Sequence, residues 1–300
     1  MKDLSGIIAA IPTSFDHQEE LALDRLADNI GRWSRSRLAG FAVLGSTGEF
    51  VYLTQEEKKA VLGRAREAIP PHRILLAGTG CESTRETLVL TRWAANVGAD
   101  FALVVTPAYY KRAMTPEALR AHYLEVAEQS PIPVVLYNVP AFTMLNLAPE
   151  LAIELASHPN VVGLKDSSGD VLQLQETCRL APRNFSVLTG AGGVLLASLA
   201  VGARGAILGV ANVAYDLCTD LWEAFQQGDW ARARRLQNQL VPINKAVTTD
   251  HGIAGLKSLL DGLGFYGGPP RSPLRPVSSD VQEKLMEIHA RASKVEVGDS

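Results

Sequence analysis

The chain has 300 residues, of which 47% are hydrophobic and 20% are charged, and its formal net charge at pH 7 is −3. This composition is typical of a globular protein with a substantial core, and the charge gives no reason to expect nucleic acid or an anionic membrane as a partner. The three cysteines lie far apart in the sequence, which indicates free thiols in a reducing compartment. The six histidines are scattered without a cysteine cluster, so no protein-built zinc site is expected.

The N-terminal stretch MKDLSGIIAAIPTSF carries no recognisable targeting signal. Its apolar run is too short for a secretory signal, and it lacks the Arg- and Ser-rich pattern of a transit peptide. No apolar segment approaches the ~20 residues needed to span a bilayer. We therefore expect a cytoplasmic protein.

Strand-like apolar runs alternate with helical segments along the first three quarters of the chain. The helical segment TQEEKKAVLGRAREA opens on Thr54 and has Glu57 three residues later, which predicts a capping box. The segment STRETLVLTRWAANVG ends on Gly98, a typical helix stop. The eight apolar runs cover residues 6–13, 40–46, 73–80, 99–107, 132–140, 160–168, 185–193 and 205–213.

Eight strand–helix units predict an α/β fold, a (β/α)8 TIM barrel, which typically needs ~250 residues. A doubly wound open sheet is the alternative, but no G-x-G-x-x-G follows the first strand. Three more helical segments, 229–248, 252–262 and 278–292, predict a C-terminal helical extension. We therefore expect a barrel over residues 1–225 and a helical extension, packed on it, over residues 226–300.

Polar residues gather at the ends of the predicted strands, where barrel enzymes keep their chemistry. In the run NVVGLKDSSGD, alternation places Val161, Gly163 and Lys165 inside the barrel and Val162 outside. Tyr137 lies at the end of the preceding strand. Because neighbouring strands lie ~4.8 Å apart, we expect its phenol close to the Lys165 amine at the barrel mouth. The polar residues at the eight strand ends are Thr13, Ser46, Thr47, Glu49, Thr79, Thr106, Tyr137, Lys165, Thr189 and Asn212.

An amine beside a phenol at the barrel mouth can act as a nucleophile with a proton donor next to it. Burial disfavours the charged form of a lysine, and a neutral amine can attack a ketone to form an iminium, which accepts electrons during carbon–carbon cleavage. A nearby tyrosine hydroxyl can supply the proton transfers. The alternative is that Lys165 is an ammonium bound to barrel carbonyls and that Tyr137 is merely packed. Position alone leaves both interpretations open.

Five motifs, in this order and at the predicted strand ends, resemble the pyruvate-dependent class I aldolase family of dihydrodipicolinate synthase and N-acetylneuraminate lyase. The resemblance runs from Gly6 to about Pro276. The motifs are GSTGEF (45–50), VVTPAYY (104–110), YNVP (137–140), GLKDSSGD (163–170) and ILGVANV (207–213).

The resemblance implies roles for residues at the barrel mouth. Lys165 would form a Schiff base with pyruvate, Tyr137 would move protons, and Ser46 and Thr47 would bind the pyruvyl carboxylate. Gly209 would leave room for the substrate. The resemblance also implies that the Ile207 carbonyl lines the pocket, that Glu49 is a structural part of its turn, and that neither a metal nor an organic cofactor is needed.

The resemblance further implies that Ser46 links Tyr137 to a second tyrosine, often supplied by a neighbouring subunit. Tyr109 is the better match and Tyr110 the alternative, although both could simply pack at an interface. Because tetramers built as pairs of dimers are usual in the family, we expect a homotetramer.

The sequence specifies the second substrate less clearly than it specifies pyruvate. Dihydrodipicolinate synthases usually continue YNVP-x-R-T-G, and that arginine holds the carboxylate of the second substrate, whereas this chain has Phe142 there. Losing a charged hydrogen bond costs about 1.5–3 kcal/mol, which disfavours aspartate semialdehyde. The segment at 246–274 resembles the 4-hydroxy-2-oxoglutarate aldolases, so we expect cleavage of a 4-hydroxy-2-oxo acid to pyruvate and glyoxylate. The apolar loop with Met144 and Leu145 leaves a different aldehyde open.

Three alternatives remain. Two keep the iminium chemistry: a dihydrodipicolinate synthase-like condensation, and an aldolase or dehydratase acting on 2-keto-3-deoxy sugar acids. The third is a non-enzymatic barrel that binds 2-oxo acids, but binding alone needs neither Lys165 nor Tyr137. The partner in each case is a small 2-oxo acid.

Overall fold

A computed structural model describes residues 2–294 as a closed barrel of eight parallel strands. Each strand pairs with the next along the chain, and β8 pairs with β1. The predicted (β/α)8 barrel is therefore confirmed. The strands are β1 (Gly6–Ala10), β2 (Gly40–Val43), β3 (Ile74–Gly78), β4 (Phe101–Val105), β5 (Val134–Asn138), β6 (Val161–Asp166), β7 (Ser186–Thr189) and β8 (Gly205–Leu208).

Twelve α-helices cover the barrel and extend beyond it within residues 2–294. The last three follow the barrel: α10 packs against α9, and α12 packs against α10 and α11. Residues 295–300 of the expected extension lie outside the described residues. The helices are α1 (Leu23–Trp33), α2 (Gln55–Ala68), α3 (Thr84–Asn96), α4 (Pro116–Gln129), α5 (Pro140–Thr143), α6 (Pro149–Leu155), α7 (Val171–Leu180), α8 (Leu195–Ala200), α9 (Tyr215–Gln226), α10 (Trp230–Asn244), α11 (Gly252–Gly262) and α12 (Ser279–Lys294).

Local sequence signals account for several helix ends. Thr54 accepts a hydrogen bond from the Glu57 amide and the Glu57 carboxylate accepts one from the Thr54 amide, so the predicted capping box is confirmed. Gly98, just beyond α3, has φ 87°, a left-handed conformation that glycine adopts without a side-chain clash.

Strand β6 differs from the prediction at its beginning. Val134 of β5 pairs with Val161, but Val135 pairs with Gly163, so Val162 is the extra residue of a β-bulge. Val161 consequently packs in the layer between strands and helices, and Val162 packs against the barrel interior. The prediction had these two valines the other way round, because simple alternation cannot anticipate a bulge. Beyond the bulge the alternation is regular, and Lys165 lies on the inner side.

His122 lies in the helical layer on α4, opposite the start of α3. Its Nδ1 is 2.8 Å from the Thr84 hydroxyl, and its Nε2 has no hydrogen-bond partner among the described residues. Burial lowers the pKa of His122 from its ordinary 6.5 to about 4.

We expect His122 to make the fold sensitive to acid. Between pH 6.5 and about 4 the unfolded chain binds a proton that the folded chain does not, so the free energy of unfolding falls as pH is lowered through this window. The expected contribution is about 2 kcal/mol by pH 4.5. In urea titrations at pH 7 and pH 4.5, His122→Asn should lose less stability than the wild type by about this amount. An identical loss in both proteins would contradict the prediction, and the exposed His72→Asn serves as the control.

Candidate active site

Lys165 and Tyr137 lie side by side at the upper ends of adjacent strands. Their Cα atoms are register partners in the β5–β6 pair, as the alternation predicted. Lys165 is only 5% exposed, and its Nζ lies 4.1 Å from the centroid of the Tyr137 ring. The Tyr137 side chain belongs to the hydrophobic cluster that fills the barrel interior. The structure therefore brings the predicted amine and phenol together in largely apolar surroundings.

The Lys165 amine has no polar partner. Among residues 2–294, no carboxylate lies within ion-pair distance of Nζ, and no carbonyl or hydroxyl oxygen accepts a hydrogen bond from it. The contact with the Tyr137 ring is its one electrostatic interaction within that part of the chain. The alternative interpretation, a structural ammonium bound to barrel carbonyls, therefore has no support, because no carbonyl of the described residues binds the Lys165 amine. An unpaired, buried amine is instead available to a reacting carbonyl group.

The turn after β2 places two hydroxyls at the same barrel mouth. Ser46 and Thr47 begin a single 3-10 turn, Ser46–Gly48, and the Ser46 Oγ lies 3.3 Å from the Tyr137 hydroxyl. Thr13, three residues after β1, donates a hydrogen bond of 2.6 Å to the Gly48 carbonyl and so fixes the turn to the barrel. Hydroxyls and free amides of such a turn can bind an anion without a cationic side chain.

Strand β8 closes the site on the opposite side of the turn. A Cβ atom built on Gly209 would lie 3.3 Å from the Thr47 hydroxyl, so the missing side chain leaves space beside Thr47. Ile207 is buried in the interior cluster, two residues before Gly209. Gly209 therefore lies beside the turn that carries Thr47, and the roles of Gly209 and Ile207 in substrate binding stay predictions.

Gly190 is a site residue that the sequence analysis did not single out. A Cβ atom at this position would lie 1.8 Å from the Ser167 Oγ and 3.0 Å from the Lys165 Cε. A side chain at position 190 would collide with Ser167 and press against the Lys165 side chain. The available signal was its position, directly after the strand that neighbours β6.

Glu49 ends the turn as a buried ion pair rather than as a free acid. Its side chain is 0% exposed, and its Oε1 lies 2.6 Å from the Nζ of Lys257, which is 1% exposed. Desolvation lowers the pKa of Lys257 more than the attraction of Glu49 raises it. Lys257 was not predicted as a site residue, although a lysine among the apolar residues of GLKSLL is a signal that could have identified it.

Tyr109 and Tyr110 lie away from Ser46 within one chain. They are 77% and 72% exposed, and their rings contact each other edge to face at 5.1 Å. The amides of Ala108 and Tyr109 donate to the Glu82 carboxylate, which fixes the loop after β4. The structure thus does not join Tyr109 to Ser46, and a role in a neighbouring subunit's site stays a prediction.

Neither a metal-binding cluster nor a membrane-spanning helix occurs among the described residues. Between residues 2 and 294, no three His, Cys, Asp or Glu side chains converge in a way that could hold a metal ion. Over the same range, no helix combines the length and hydropathy needed to cross a bilayer.

Known proteins resemble this chain in sequence and in fold. A 4-hydroxy-tetrahydrodipicolinate synthase from Methanoculleus marisnigri is 38% identical over 94% of this chain and 97% of its own length. A Bacillus anthracis dihydrodipicolinate synthase crystal structure superposes with a TM-score of 0.92 at 28% identity, covering 97% of this chain and 99% of that one. The Escherichia coli K12 prophage protein YagE, solved in complex with pyruvate, gives the same TM-score, identity and coverage. The model of the dihydrodipicolinate synthetase family matches residues 3–292, and the chain belongs to that family.

Proposed function

We propose that the protein makes or breaks a carbon–carbon bond of a 2-oxo acid through an imine between pyruvate and Lys165. Membership of the family makes the chain an enzyme of the class I aldolase or synthase type. The observation that carries the assignment to Lys165 is its buried, unpaired amine beside the Tyr137 ring. The pyruvate complex of YagE supports pyruvate as the bound 2-oxo acid.

The chemistry can be followed atom by atom. The Lys165 amine, after giving up a proton, adds to the C2 carbonyl of the oxo acid, and loss of water gives the iminium. In the cleavage direction, removal of the C4 hydroxyl proton lets the C3–C4 bond break, and its electron pair moves into the iminium to give an enamine and an aldehyde. Tyr137, linked to Ser46, carries protons to and from these groups. Protonation of the enamine at C3 and addition of water release pyruvate.

Two reactions share this intermediate, and different observations bear on each. The relatives found are named 4-hydroxy-tetrahydrodipicolinate synthase, which supports the condensation of pyruvate with aspartate semialdehyde. The narrower expectation of a 4-hydroxy-2-oxoglutarate aldolase has no support from these names, and its alternative, the condensation, fits them better.

The side chains after β5 weigh against the condensation with aspartate semialdehyde. Phe142, on α5, occupies the position at which an arginine would bind the second carboxylate, and it is 69% exposed. Met144, two residues later, is 70% exposed, so this loop offers apolar surface rather than a cation. A substrate whose binding relies on that arginine would lose a charged hydrogen bond. 4-Hydroxy-2-oxoglutarate also has a distal carboxylate, so its cleavage requires another group of the site to bind that carboxylate.

A two-stage experiment tests the proposal. Borohydride reduction in the presence of pyruvate, followed by peptide mass analysis, should place a pyruvate adduct on Lys165. An adduct on another lysine, or none, would contradict the imine. Kinetics with pyruvate plus aspartate semialdehyde, and separately with 4-hydroxy-2-oxoglutarate, then distinguish condensation from release of glyoxylate.

Phe142→Arg tests the importance of the missing cation. Because the guanidinium can bind a carboxylate with two hydrogen bonds, we expect kcat/KM for aspartate semialdehyde to rise about tenfold or more. The pyruvate adduct on Lys165 should be unchanged, which controls for damage to the imine site. Phe142→Lys, Phe142→Leu and the wild type complete the series. If all four proteins have the same kcat/KM, residue 142 has no part in selecting the second substrate.

The oligomer and the second tyrosine form a separate proposal. Tyr109 would reach Ser46 of a neighbouring subunit in a homotetramer, and its exposure supports this arrangement. A cytoplasmic location is likewise proposed, and the three widely spaced cysteines, which indicate a reducing compartment, support it.

A further inference from the structure

The turn that carries Ser46 and Thr47 ends in a strained residue. Glu49 has φ 55°, a left-handed conformation that costs a side-chain-bearing residue energy unless its surroundings hold it there. Its amide donates back to the Ser46 carbonyl at 3.1 Å, so the position of Glu49 and that of Ser46 are directly coupled. What fixes Glu49 therefore fixes the carboxylate-binding turn.

Both oxygens of the Glu49 carboxylate are held by the C-terminal part of the chain. Its Oε1 lies 2.6 Å from the Lys257 Nζ on α11, and its Oε2 accepts a 2.8 Å hydrogen bond from the Arg271 amide. These donors lie more than 200 positions further along the chain. A buried carboxylate needs such partners, and loss of either would leave a charge poorly compensated inside the protein.

Lys257 connects three separate segments. Besides Glu49, it donates a 2.9 Å hydrogen bond to the Pro269 carbonyl, and its Nζ lies 4.5 Å from the Phe15 ring centroid. Gly267 lies so close that a Cβ atom there would be 1.8 Å from the Lys257 carbonyl. The amine thus ties the turn after β2 to the segment after β1 and to the C-terminal brace, which we define as residues 266–272.

We propose that Lys257 is a positioning residue for pyruvate binding: through Glu49 it holds Ser46 and Thr47 in the geometry that receives the carboxylate. This inference rests on the proposed function, because it assigns Lys257 a role in the same pyruvate-binding site. Lys257 does not touch the substrate. Without it, the Glu49 carboxylate keeps one backbone donor, turns towards water, and draws the end of the turn away from Tyr137.

The test measures pyruvate binding apart from turnover. Borohydride-trapped adduct on Lys165 is quantified against pyruvate concentration in the wild type and in Lys257→Met, which replaces the amine by an apolar group of similar length. We expect the pyruvate concentration for half-maximal adduct to rise about tenfold, the scale of one weakened charged hydrogen bond. The maximal amount of adduct at saturating pyruvate should be retained.

Controls separate positioning from general loss of stability. Asn160→Ala removes hydrogen bonds to the Ala127 and Ser130 carbonyls at the opposite end of the barrel and should lower stability without changing the half-maximal pyruvate concentration. Should Lys257→Met fail to fold, Glu49→Gln/Lys257→Met takes its place, because it leaves no unpaired charge buried.

The outcomes are distinct. A raised half-maximal pyruvate concentration in the folded variant, with none in Asn160→Ala, supports the inference. A folded Lys257 variant with the wild-type pyruvate dependence overturns it and leaves the proposed function intact. Absence of an adduct on Lys165 in the wild type overturns the proposed function, and this inference with it.

Discussion

Lys165→Ala is expected to abolish the borohydride-trapped pyruvate adduct and to lower turnover by about 10⁴-fold or more, because the variant has no nucleophile to form the imine. The fold should survive, since within residues 2–294 no ion pair or hydrogen bond of the Lys165 amine is lost with the side chain. Steady-state kinetics, peptide mass analysis and a thermal unfolding curve measure the three quantities on the same preparation.

Two further variants make this result specific. Lys165→Arg keeps a positive charge and much of the length, but a guanidinium stays protonated and cannot attack a ketone, so it should be as inactive as alanine. The exposed Lys111→Ala removes a lysine elsewhere and should retain the adduct. Substantial activity in Lys165→Arg would mean that position 165 serves as a cation and would restore the structural interpretation.

Tyr137→Phe is expected to slow turnover by about 10²- to 10⁴-fold, the usual contribution of a positioned acid–base group. The aromatic ring near the Lys165 amine remains, and the lost contact is the hydroxyl pair with Ser46 at 3.3 Å. The pyruvate adduct should therefore still form, but more slowly, and the free energy of unfolding should change little. Pre-steady-state trapping with borohydride follows the rate of adduct formation directly.

Tyr123→Phe is the matched control for this prediction. Tyr123 is a fully buried tyrosine on α4 whose side chain packs in the layer between strands and helices, with its hydroxyl 3.3 Å from the Thr106 hydroxyl. Removing its hydroxyl should affect stability rather than rate. If both phenylalanine variants turn over at the wild-type rate, Tyr137 is not the proton carrier.

The barrel could be predicted because its signals are local. Each strand is a short apolar run, and each end is marked by a glycine or a polar residue. Strand-end chemistry follows from topology, since parallel strands in a closed barrel bring their C-terminal ends to one face. For this reason the alternation predicted the approach of Lys165 and Tyr137, which are 28 positions apart.

Features that depend on distant contacts could not be predicted. The ion pair of Glu49 with Lys257 joins residues far apart in the sequence, and neither neighbourhood specifies the other partner. The need for glycine at position 190 comes from side chains on the adjacent strand. The bulge at Val162 depends on how β6 pairs with β5. The periodicity of one strand's sequence carries no information on that pairing, so it could not predict the bulge.

The bulge at Val162 lies between the N-terminal base of strand β6 and the part of the strand that carries Lys165. From Gly163 to Asp166, strand β6 pairs without interruption with both of its neighbours. Deleting Val162 would leave Val161 outside and Gly163 inside, as an uninterrupted pleat requires. Removal of the extra residue would therefore shorten the base of this strand by one residue while the Lys165 amine keeps facing inward.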